Sequence, residues 1–369
     1  MFGIAPQYYL PIYYGIVTIL SLLVFSQYES YTNDRLTDAP NQRLLGVGLT
    51  TALMTLFIGL RPVSDESFVD MANYAALYDM IKGNSFSFIS GPEFNFIFDN
   101  LLRFFASINL PAAIFFLTIA AIYFIGIAWA CAVFFPKDRM AALLVYLSAF
   151  STFAYGTTGI KAGAAASLFL VALAFYQKRE WFWVILFAVI SAGFHHSMIV
   201  PISAFAVCIV IKNPRVYFAF WVVCFFISLF HVTFFQELLG SLINDHDAEY
   251  LIGSGRFVKT EFLGGFRLDF VLYSAVPMVL GLVAVGDKRI DSDKYVFLLN
   301  LYTLINGLWL LCMYSDFTNR IAYLSWMLLP IVLVYPLLNE DWEGDRYRVF
   351  QWIAYAHLAF NLIMELFYW

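Results

Sequence analysis

The feature that most constrains this chain is a series of long, uninterrupted apolar runs. Hydrophobic residues make up 62% of its 369 residues and charged residues only 13%, whereas a soluble domain is about half apolar and about a quarter charged. A run of about 20 apolar residues crosses the hydrocarbon as a helix, whereas a membrane barrel shows weak alternation over about 10 residues. The continuous runs therefore predict an all-α, polytopic membrane protein.

We predict about 12 transmembrane helices within a single integral membrane domain that covers residues 1–369. The sixth and seventh segments are short, and the polar sequence His195-His196-Ser197 separates them. We therefore expect two short helices that meet at a polar break. The predicted segments are residues 8–26, 44–60, 111–135, 140–156, 162–177, 181–194, 197–211, 216–235, 269–286, 295–314, 320–338 and 349–368.

The basic residues between these segments predict the orientation, because cytoplasmic loops carry an excess of Lys and Arg. Of the 21 basic residues, 13 fall on one predicted face and 8 on the other. The richer face is assigned to the cytoplasm, which places both termini outside. Two long loops, residues 61–110 and 236–268, then lie on the outer face. The end of the first, residues 94–105, is amphipathic at helical spacing and predicts a helix in the membrane interface.

Several classes of function lack support in the sequence. The predicted cytoplasmic loops are too short for a nucleotide-binding domain, and no GxxxxGK[ST] phosphate loop occurs. The net charge of -5 gives no nucleic-acid signal. The first apolar run has neither the basic start nor the cleavage site of a signal peptide. We expect no metal and no cofactor, because the four cysteines lie in apolar runs without ligand spacing, and Asp245-His246-Asp247 resembles a polar loop tip.

Three basic residues are not explained by the charge bias of membrane loops. Lys161, Arg267 and Arg320 lie at segment boundaries on the predicted outer face. Charges beside a span are costly and usually face a cavity or a partner, although each could instead be a snorkelling anchor. Together in one cavity they would bind a polyanion, because Arg offers a fork suited to phosphate and Lys a point charge.

The first outer loop carries carboxylates that could take part in chemistry. Asp65, Asp70 and Glu93 could be solvated loop residues and helix caps, or a general base and acceptors for sugar hydroxyls. Tyr74 in the same loop could stack on a sugar ring or belong to the interfacial belt. Sequence alone leaves these alternatives open.

His195 and His196 are the other candidates for acid–base chemistry. Neighbouring residues on a helix point about 100° apart, so the pair cannot share a metal ion. We expect one ring to face a cavity, where it would be a base candidate near neutral pH. A hydrogen-bonded helix cap is the alternative.

Six segments in order give the chain a resemblance to the EpsG-like branch of the Wzy-type polysaccharide polymerases, over about residues 45–338. At Lys161 the family usually has Arg, so this chain keeps the charge but loses the bidentate fork. The segments are Asp65 to Tyr74, Gly91-Pro92-Glu93-Phe94, Gly159-Ile160-Lys161 with the small residues that follow, Gly193-Phe194-His195-His196-Ser197, Gly265 to Phe270, and Phe317 to Trp326 with Pro330 and Pro336 after it.

The resemblance implies a GT-C-like enzyme of the bacterial inner membrane that joins oligosaccharide repeat units at the periplasmic face. The donor would be the growing chain on undecaprenyl pyrophosphate, and the acceptor hydroxyl would belong to a single lipid-linked repeat. A flippase and a chain-length regulator are possible partners. Within this scheme Arg61, Lys161, Arg267 and Arg320 would bind pyrophosphate, Asp70, Tyr74 and Glu93 the sugar, and His195 first or Asp65 second would be the base.

Three other functions are compatible with a polytopic membrane protein. A flippase for lipid-linked oligosaccharides would also need basic residues in a cavity, but we would expect them near the midplane, with an internal repeat. A ligase or acyltransferase that modifies surface glycans would differ mainly in its acceptor. A structural scaffold would leave the basic residues of the outer face unexplained.

Overall fold

The computed structural model describes residues 3–30, 40–91, 94–234, 265–287, 290, 292–315, 318–340, 342 and 344–365. Within these ranges the fold is helical, without strands. Most of the second predicted outer loop, together with Glu93, lies outside the described residues. The helices are α1 Tyr9–Phe25, α2 Pro40–Gly59, α3 Val69–Ile81, α4 Phe96–Ser107, α5 Ala112–Phe134, α6 Arg139–Ser148, α7 Phe150–Thr157, α8 Ile160–Gln177, α9 Trp181–Phe194, α10 Ile199–Val210, α11 Pro214–Leu229, α12 Leu268–Gly286, α13 Asp293–Leu311, α14 Thr318–Trp326, α15 Leu329–Leu338 and α16 Arg346–Ile363.

The predicted membrane segments all contain helices, and the all-α membrane character is confirmed. Six helical stretches in the described ranges are long and apolar enough to span a bilayer, and α6 with α7 would be a seventh, bent by 74°. Four further apolar helices are shorter than a full span. The number of about 12 spans is therefore not confirmed, and the GT-C-like arrangement stays a prediction. The six are Pro6–Tyr28, Ala112–Phe134, Ile160–Gln177, Leu268–Gly286, Asp293–Leu311 and Thr318–Leu338.

The chain forms two compact units. One comprises residues up to Met198 and those from Leu337 onward, and the other comprises Ile199–Pro336. The single integral domain that we predicted from the sequence stays a prediction.

Small residues on α8 set the packing at the centre of the first unit. Apolar burial drives helices together only weakly in lipid, so close packing of small side chains carries more of the association. A Cβ on Gly126 of α5 would lie 3.0 Å from the Ser167 side chain of α8. On the other side of α8, the Ser191 hydroxyl of α9 donates to the Ala165 carbonyl at 2.7 Å. The run of small residues after Lys161 therefore places α8 between α5 and α9.

The break between α6 and α7 is stabilised by a side chain from the far end of the sequence. A break inside a membrane frees backbone groups that have no water to bind. The Phe150 amide at the break donates to Asn361 Oδ1 of α16 at 2.8 Å. The Thr152 hydroxyl donates to the Tyr146 carbonyl at 2.6 Å. Buried polar side chains thus replace the helical bonds that the bend removes.

The second unit is built around α13, against which α10, α11, α12 and α14 pack. A buried chain of polar side chains crosses it. The Trp221 indole donates to Asn306 Oδ1 at 2.7 Å, and the Asn306 amide donates to the Ser325 hydroxyl at 3.0 Å. Such interhelical bonds satisfy groups that would otherwise be unpaired in an apolar interior.

Candidate active site

Lys161 lies in the first turn of α8 and is half-buried. Its Nζ lies 5.7 Å from the ring centroid of Tyr74 on α3 and 5.6 Å from that of Phe98 on α4. Among the residues described by the structure, this ammonium makes no hydrogen bond or ion pair. A cation at a helix N-terminus opposes the helix dipole, although attraction to the ring faces offsets part of that cost. Both the ammonium and the helix end therefore favour an anion at this position.

The helix predicted at residues 94–105 is confirmed as α4, and its buried face packs within the protein. Phe98, Leu102 and Ala106 are each at most 1% exposed. Phe98 contacts the rings of Tyr74 and Phe194, with centroids 5.1 and 6.4 Å away. Because Phe98 touches α3 and α9 and also lies under Lys161, α4 is the element that brings the outer segments together.

Two asparagines that sequence reasoning missed fix the start of α4. Asn95 accepts the His196 backbone N–H at 3.0 Å, while its own N–H donates to Asp99 Oδ2 at 2.7 Å. Buried Asn100 accepts the Ile89 N–H at 2.9 Å and donates to the Ile89 and Phe96 carbonyls, both at 2.8 Å. An Asn just before an amphipathic helix was a local signal for a cap, but its partner lies 101 residues away.

His195 lies at the predicted polar break, which is confirmed as the end of α9 followed by a single turn at His196–Met198. Its Nδ1 accepts the Ser197 backbone N–H at 3.2 Å and lies 2.7 Å from the Ser197 hydroxyl. His195 and Lys161 both flank the start of α4. Phe194, which precedes His195, contacts Phe98, and the Phe98 ring in turn lies beneath the Lys161 ammonium.

The predicted sugar-binding and carboxylate residues have different environments. Asp65 is exposed in the turn before α3, and within the described part of the chain it has no hydrogen bond or ion pair. Asp70 lies in the first turn of α3, four residues before Tyr74, so the two share a helix face. Tyr74 is half-buried and faces Lys161. The structure therefore places Tyr74 beside Lys161, with Asp70 on the same helix face as Tyr74, whereas no contact among the described residues joins Asp65 to Lys161.

Arg61 occupies a position that differs from the one expected of a ligand-binding residue. It is 2% exposed, and it donates to the Ile58 carbonyl at 2.7 Å and the Thr157 carbonyl at 2.5 Å. Its guanidinium also lies 5.1 Å from the Phe68 ring centroid. Burial lowers the pKa of Arg61 to about 9, which leaves it charged at neutral pH. Two of its N–H donors are taken by backbone carbonyls, one on α2 and one on α7, which favours a role in holding these helices together, while the buried Nε has no hydrogen-bond partner among the described residues.

The second unit presents the other two predicted pyrophosphate residues. Arg267 directly precedes α12, and its Nε and Nη2 donate to the two carboxylate oxygens of Asp269 at 3.0 and 2.7 Å. Arg320 is exposed in the first turn of α14. That turn is held by Thr318, whose hydroxyl donates to the Cys312 carbonyl at 3.1 Å and accepts the Trp309 indole N–H at 3.0 Å. A phosphate at Arg267 would have to share the guanidinium with Asp269.

No group of three or more His, Cys, Asp or Glu side chains within the described ranges has the arrangement of a metal site. The four cysteines are buried and unbridged. The Asp245-His246-Asp247 sequence, which we predicted to be a polar loop tip, lies outside these ranges, as does Glu93.

Comparison with known protein families gives a match over most of the chain. The model of a family described as the EpsG family matches residues 44–368. No curated protein matches the chain, and no solved structure matches it. The family match extends over every segment on which the resemblance was based and over most of the chain.

Proposed function

Because the chain belongs to the EpsG family of Wzy-like polysaccharide polymerase-related membrane proteins, we propose that it polymerises oligosaccharide repeat units carried on undecaprenyl pyrophosphate. The reaction is a glycosyl transfer at the periplasmic face of the inner membrane. The non-reducing hydroxyl of one lipid-linked repeat attacks the anomeric carbon of the donor chain, and undecaprenyl pyrophosphate leaves. The activated donor already carries the energy of the reaction, so no nucleotide is needed.

The observation that carries this proposal is the environment of Lys161. A half-buried ammonium lies over two aromatic rings at a helix N-terminus, and none of the described carboxylates pairs with it. Positive charge that is already in place where negative charge develops lowers the barrier to departure of an anionic leaving group. Lys161 is therefore the pyrophosphate contact that the environment in the first unit supports, and Arg267 and Arg320 stay proposed pyrophosphate contacts.

The surrounding residues supply the remaining roles. Tyr74 presents a half-buried ring beside Lys161, and Asp70 lies on the same helix face. Both suit a sugar, through ring stacking and through acceptance of hydroxyl protons. Glu93 stays a proposed sugar contact. Asp65 and His195 are the groups proposed to act on the attacking hydroxyl and on the leaving group. Arg61 supports the site through the backbone rather than by contact with substrate.

Analysis of the surface glycan in a deletion strain tests this function. A polymerase defect leaves single repeat units attached where long chains normally occur, because export and ligation of one unit continue. Loss of a flippase removes the surface glycan altogether, since no unit reaches the periplasm. We expect single-unit glycan, restored to long chains by the wild-type gene. Complete absence of glycan would contradict the proposal.

A further inference from the structure

The segment before α4, residues 83–91, lies along that helix and runs in the opposite direction. The Gly83 N–H donates to the Ala106 carbonyl near the end of α4 at 3.0 Å. Buried Asn100, in the middle of α4, accepts the Ile89 N–H at 2.9 Å and donates to the Ile89 carbonyl at 2.8 Å. Because one side-chain amide pairs with both backbone groups of Ile89, the segment and the helix form a single packed element.

Two aromatic pairs join the same segment to α4. The ring centroids of Phe86 and Phe104 lie 6.3 Å apart, edge to face. Those of Phe88 and Phe96 lie 5.2 Å apart in the same arrangement. About half of each side chain is nevertheless exposed, from 47% for Phe86 to 58% for Phe88. We call these four rings the aromatic surface. Residues 83–91 contain no charged side chain, and a contiguous apolar surface of this kind marks contact with a membrane or with another protein.

The aromatic surface belongs to a helix that packs against the start of a membrane span. α5 is long and apolar enough to cross the bilayer and begins at Ala112. Two residues before it, the Leu110 N–H donates to the Phe105 carbonyl of α4 at 3.3 Å. The Phe115 ring of α5 lies 5.9 Å from that of Phe105 and 5.5 Å from that of Phe98. α4 therefore lies at the level where the chain enters the hydrocarbon.

Exposed apolar side chains continue along the chain from α4 into α5. Ile108, directly after α4, is 51% exposed, and Ile114 in the first turn of α5 is 41% exposed. A spanning helix carries such side chains on the surface that faces lipid. The aromatic surface is thus continuous in sequence with a surface that lipid covers, which favours lipid over a second protein as its occupant.

The buried side of α4 contacts the candidate site. Phe96 and Phe98 are two residues apart, which is about 200° around a helix. Phe98 is 0% exposed, and its ring centroid lies 5.6 Å from Lys161 Nζ. One helix, about 10 Å across, therefore separates the aromatic surface from the ammonium. Since a lipid-linked pyrophosphate lies at the level of the headgroups, a helix in the interface is suited to support a cation that binds it.

We propose that the aromatic surface inserts into the hydrocarbon of the bilayer leaflet in which α5 begins, and that this insertion holds α4 in place beneath Lys161. An amphipathic helix in the interface buries its apolar face about 5–10 Å into the boundary between headgroups and acyl chains. The inference extends this behaviour to the non-helical segment that carries Phe86 and Phe88. The insertion is independent of the polymerase function, whereas its effect on Lys161 rests on that function.

Nitroxide labels on single added cysteines test the insertion in the full-length protein, reconstituted into vesicles of phosphatidylethanolamine and phosphatidylglycerol. Oxygen concentrates in hydrocarbon and a nickel chelate in water, so their collision rates with the nitroxide report its depth. Labels at Phe88→Cys and Phe96→Cys should collide mainly with oxygen. The four native cysteines are buried, and wild-type protein treated with the label gives the background.

Ser87 provides the matched control. Because Phe86 and Phe88 both face α4, the side chain between them points away, as in an extended segment. Labels at Ser87→Cys and at exposed Asn84→Cys should therefore collide mainly with the nickel chelate. Equal access of the chelate to labels at positions 88 and 84 would overturn the insertion. Shielding of positions 88 and 96 from both reagents, as a second copy or another protein would cause, would overturn it as well.

A triple substitution tests whether insertion supports the site. Phe86→Ser, Phe88→Ser and Phe104→Ser together should move a label at position 96 into water and remove most of the polymerisation rate on lipid-linked repeats. The same three positions changed to Leu keep the surface apolar and should retain the rate, with a similar melting temperature in detergent. A serine variant whose label leaves the lipid while polymerisation continues at the wild-type rate would overturn the role in holding α4.

The two kinds of failure can be distinguished. If wild-type protein polymerises while the labels at positions 88 and 96 lie in water, the inference fails and the polymerase function stands. If these labels lie in lipid but wild-type protein does not extend intact lipid-linked repeats, the proposed function fails, and the insertion stands without its effect on Lys161.

Discussion

The backbone N–H of His196 donates to the side-chain oxygen of Asn95 at 3.0 Å, across 101 residues of sequence. This bond joins the start of α4 to the break that holds His195. The same helix provides Phe98 beneath Lys161. This one hydrogen bond therefore links the segment that contains His195 to the helix that packs against Lys161.

Removal of the side-chain acceptor at Asn95 should therefore lower the rate of polymerisation strongly and the free energy of unfolding only modestly. We expect Asn95→Leu to leave the His196 N–H unpaired, at a cost of about 1–3 kcal/mol in the free energy of unfolding, and to lower the rate of polymerisation at least tenfold because His195 is displaced. Asn84 is exposed in the same loop, so Asn84→Leu is the matched control. Equal rates for the two variants would show that the bond does not position His195.

Substitution by Met should lower mainly the stability of the protein at Arg61 and mainly its polymerisation activity at Lys161. Arg61→Met leaves the Thr157 carbonyl without its donor and the Ile58 carbonyl with only the backbone N–H of residue 61 at 3.4 Å, which predicts a loss of about 1–3 kcal/mol of stability and a lower melting temperature in detergent. Lys161→Met removes no hydrogen bond among the described residues and should leave the melting temperature nearly unchanged while abolishing polymerisation. A stable but inactive Arg61→Met would instead support direct contact between Arg61 and pyrophosphate.

Exchange of Arg and Lys at positions 161 and 320 tests whether each cation contacts the phosphates through a bidentate fork or as a point charge. Lys161→Arg introduces the residue usual in the family and should retain most activity. Arg320→Lys replaces a fork by a point charge and should lose more activity than Lys161→Arg, by about tenfold, the value of roughly one charge-assisted hydrogen bond. The measurement is the length distribution of glycan in complemented deletion strains. Near-normal ladders from both Arg320→Ala and Arg267→Ala would remove these residues from the pyrophosphate site.

Several features of the fold follow from local sequence. Apolar runs predicted the helices, and the polar sequence His195-His196-Ser197 predicted the break after α9. The boundary position of Lys161 predicted a cation that faces a cavity or a partner, whereas its contact with Tyr74 was not predicted. Such features depend on neighbouring residues and on the cost of charge near lipid, which is why one sequence was enough to predict them.

Other features depend on pairs that are distant in sequence. Nothing near Arg61 indicates that Thr157 would accept from its guanidinium, and nothing near Asn95 indicates His196. The pairing of Arg267 with Asp269 is different, because both lie in one short segment and a two-residue separation could have suggested it. Long-range contacts thus decide which of the predicted cations is open to a ligand and which is part of the framework.

Cysteine labelling should decide the orientation that the charge bias predicts. Thr157 is 1% exposed and cannot serve as a labelling site, whereas Asn84 and Glu180 are exposed at opposite predicted faces. The four native cysteines are buried and should react slowly. In intact cells a maleimide that cannot cross the inner membrane should label Asn84→Cys but not Glu180→Cys. Glu180→Cys should be labelled only after the inner membrane is permeabilised. The reverse pattern would place Lys161 and His195 on the cytoplasmic side and exclude a periplasmic reaction.

The most direct test of the account is extension of lipid-linked repeats by the purified protein in bilayers. We predict a ladder of products on undecaprenyl pyrophosphate, formed in the presence of excess chelator because Lys161 and the arginines supply the positive charge that a divalent ion would otherwise provide. Lys161→Met, which should fold normally, is the negative control. A ladder that disappears with chelator and returns with magnesium would contradict the metal-independent mechanism. Movement of single repeats across the bilayer without any extension would contradict the central claim that this chain is a polymerase.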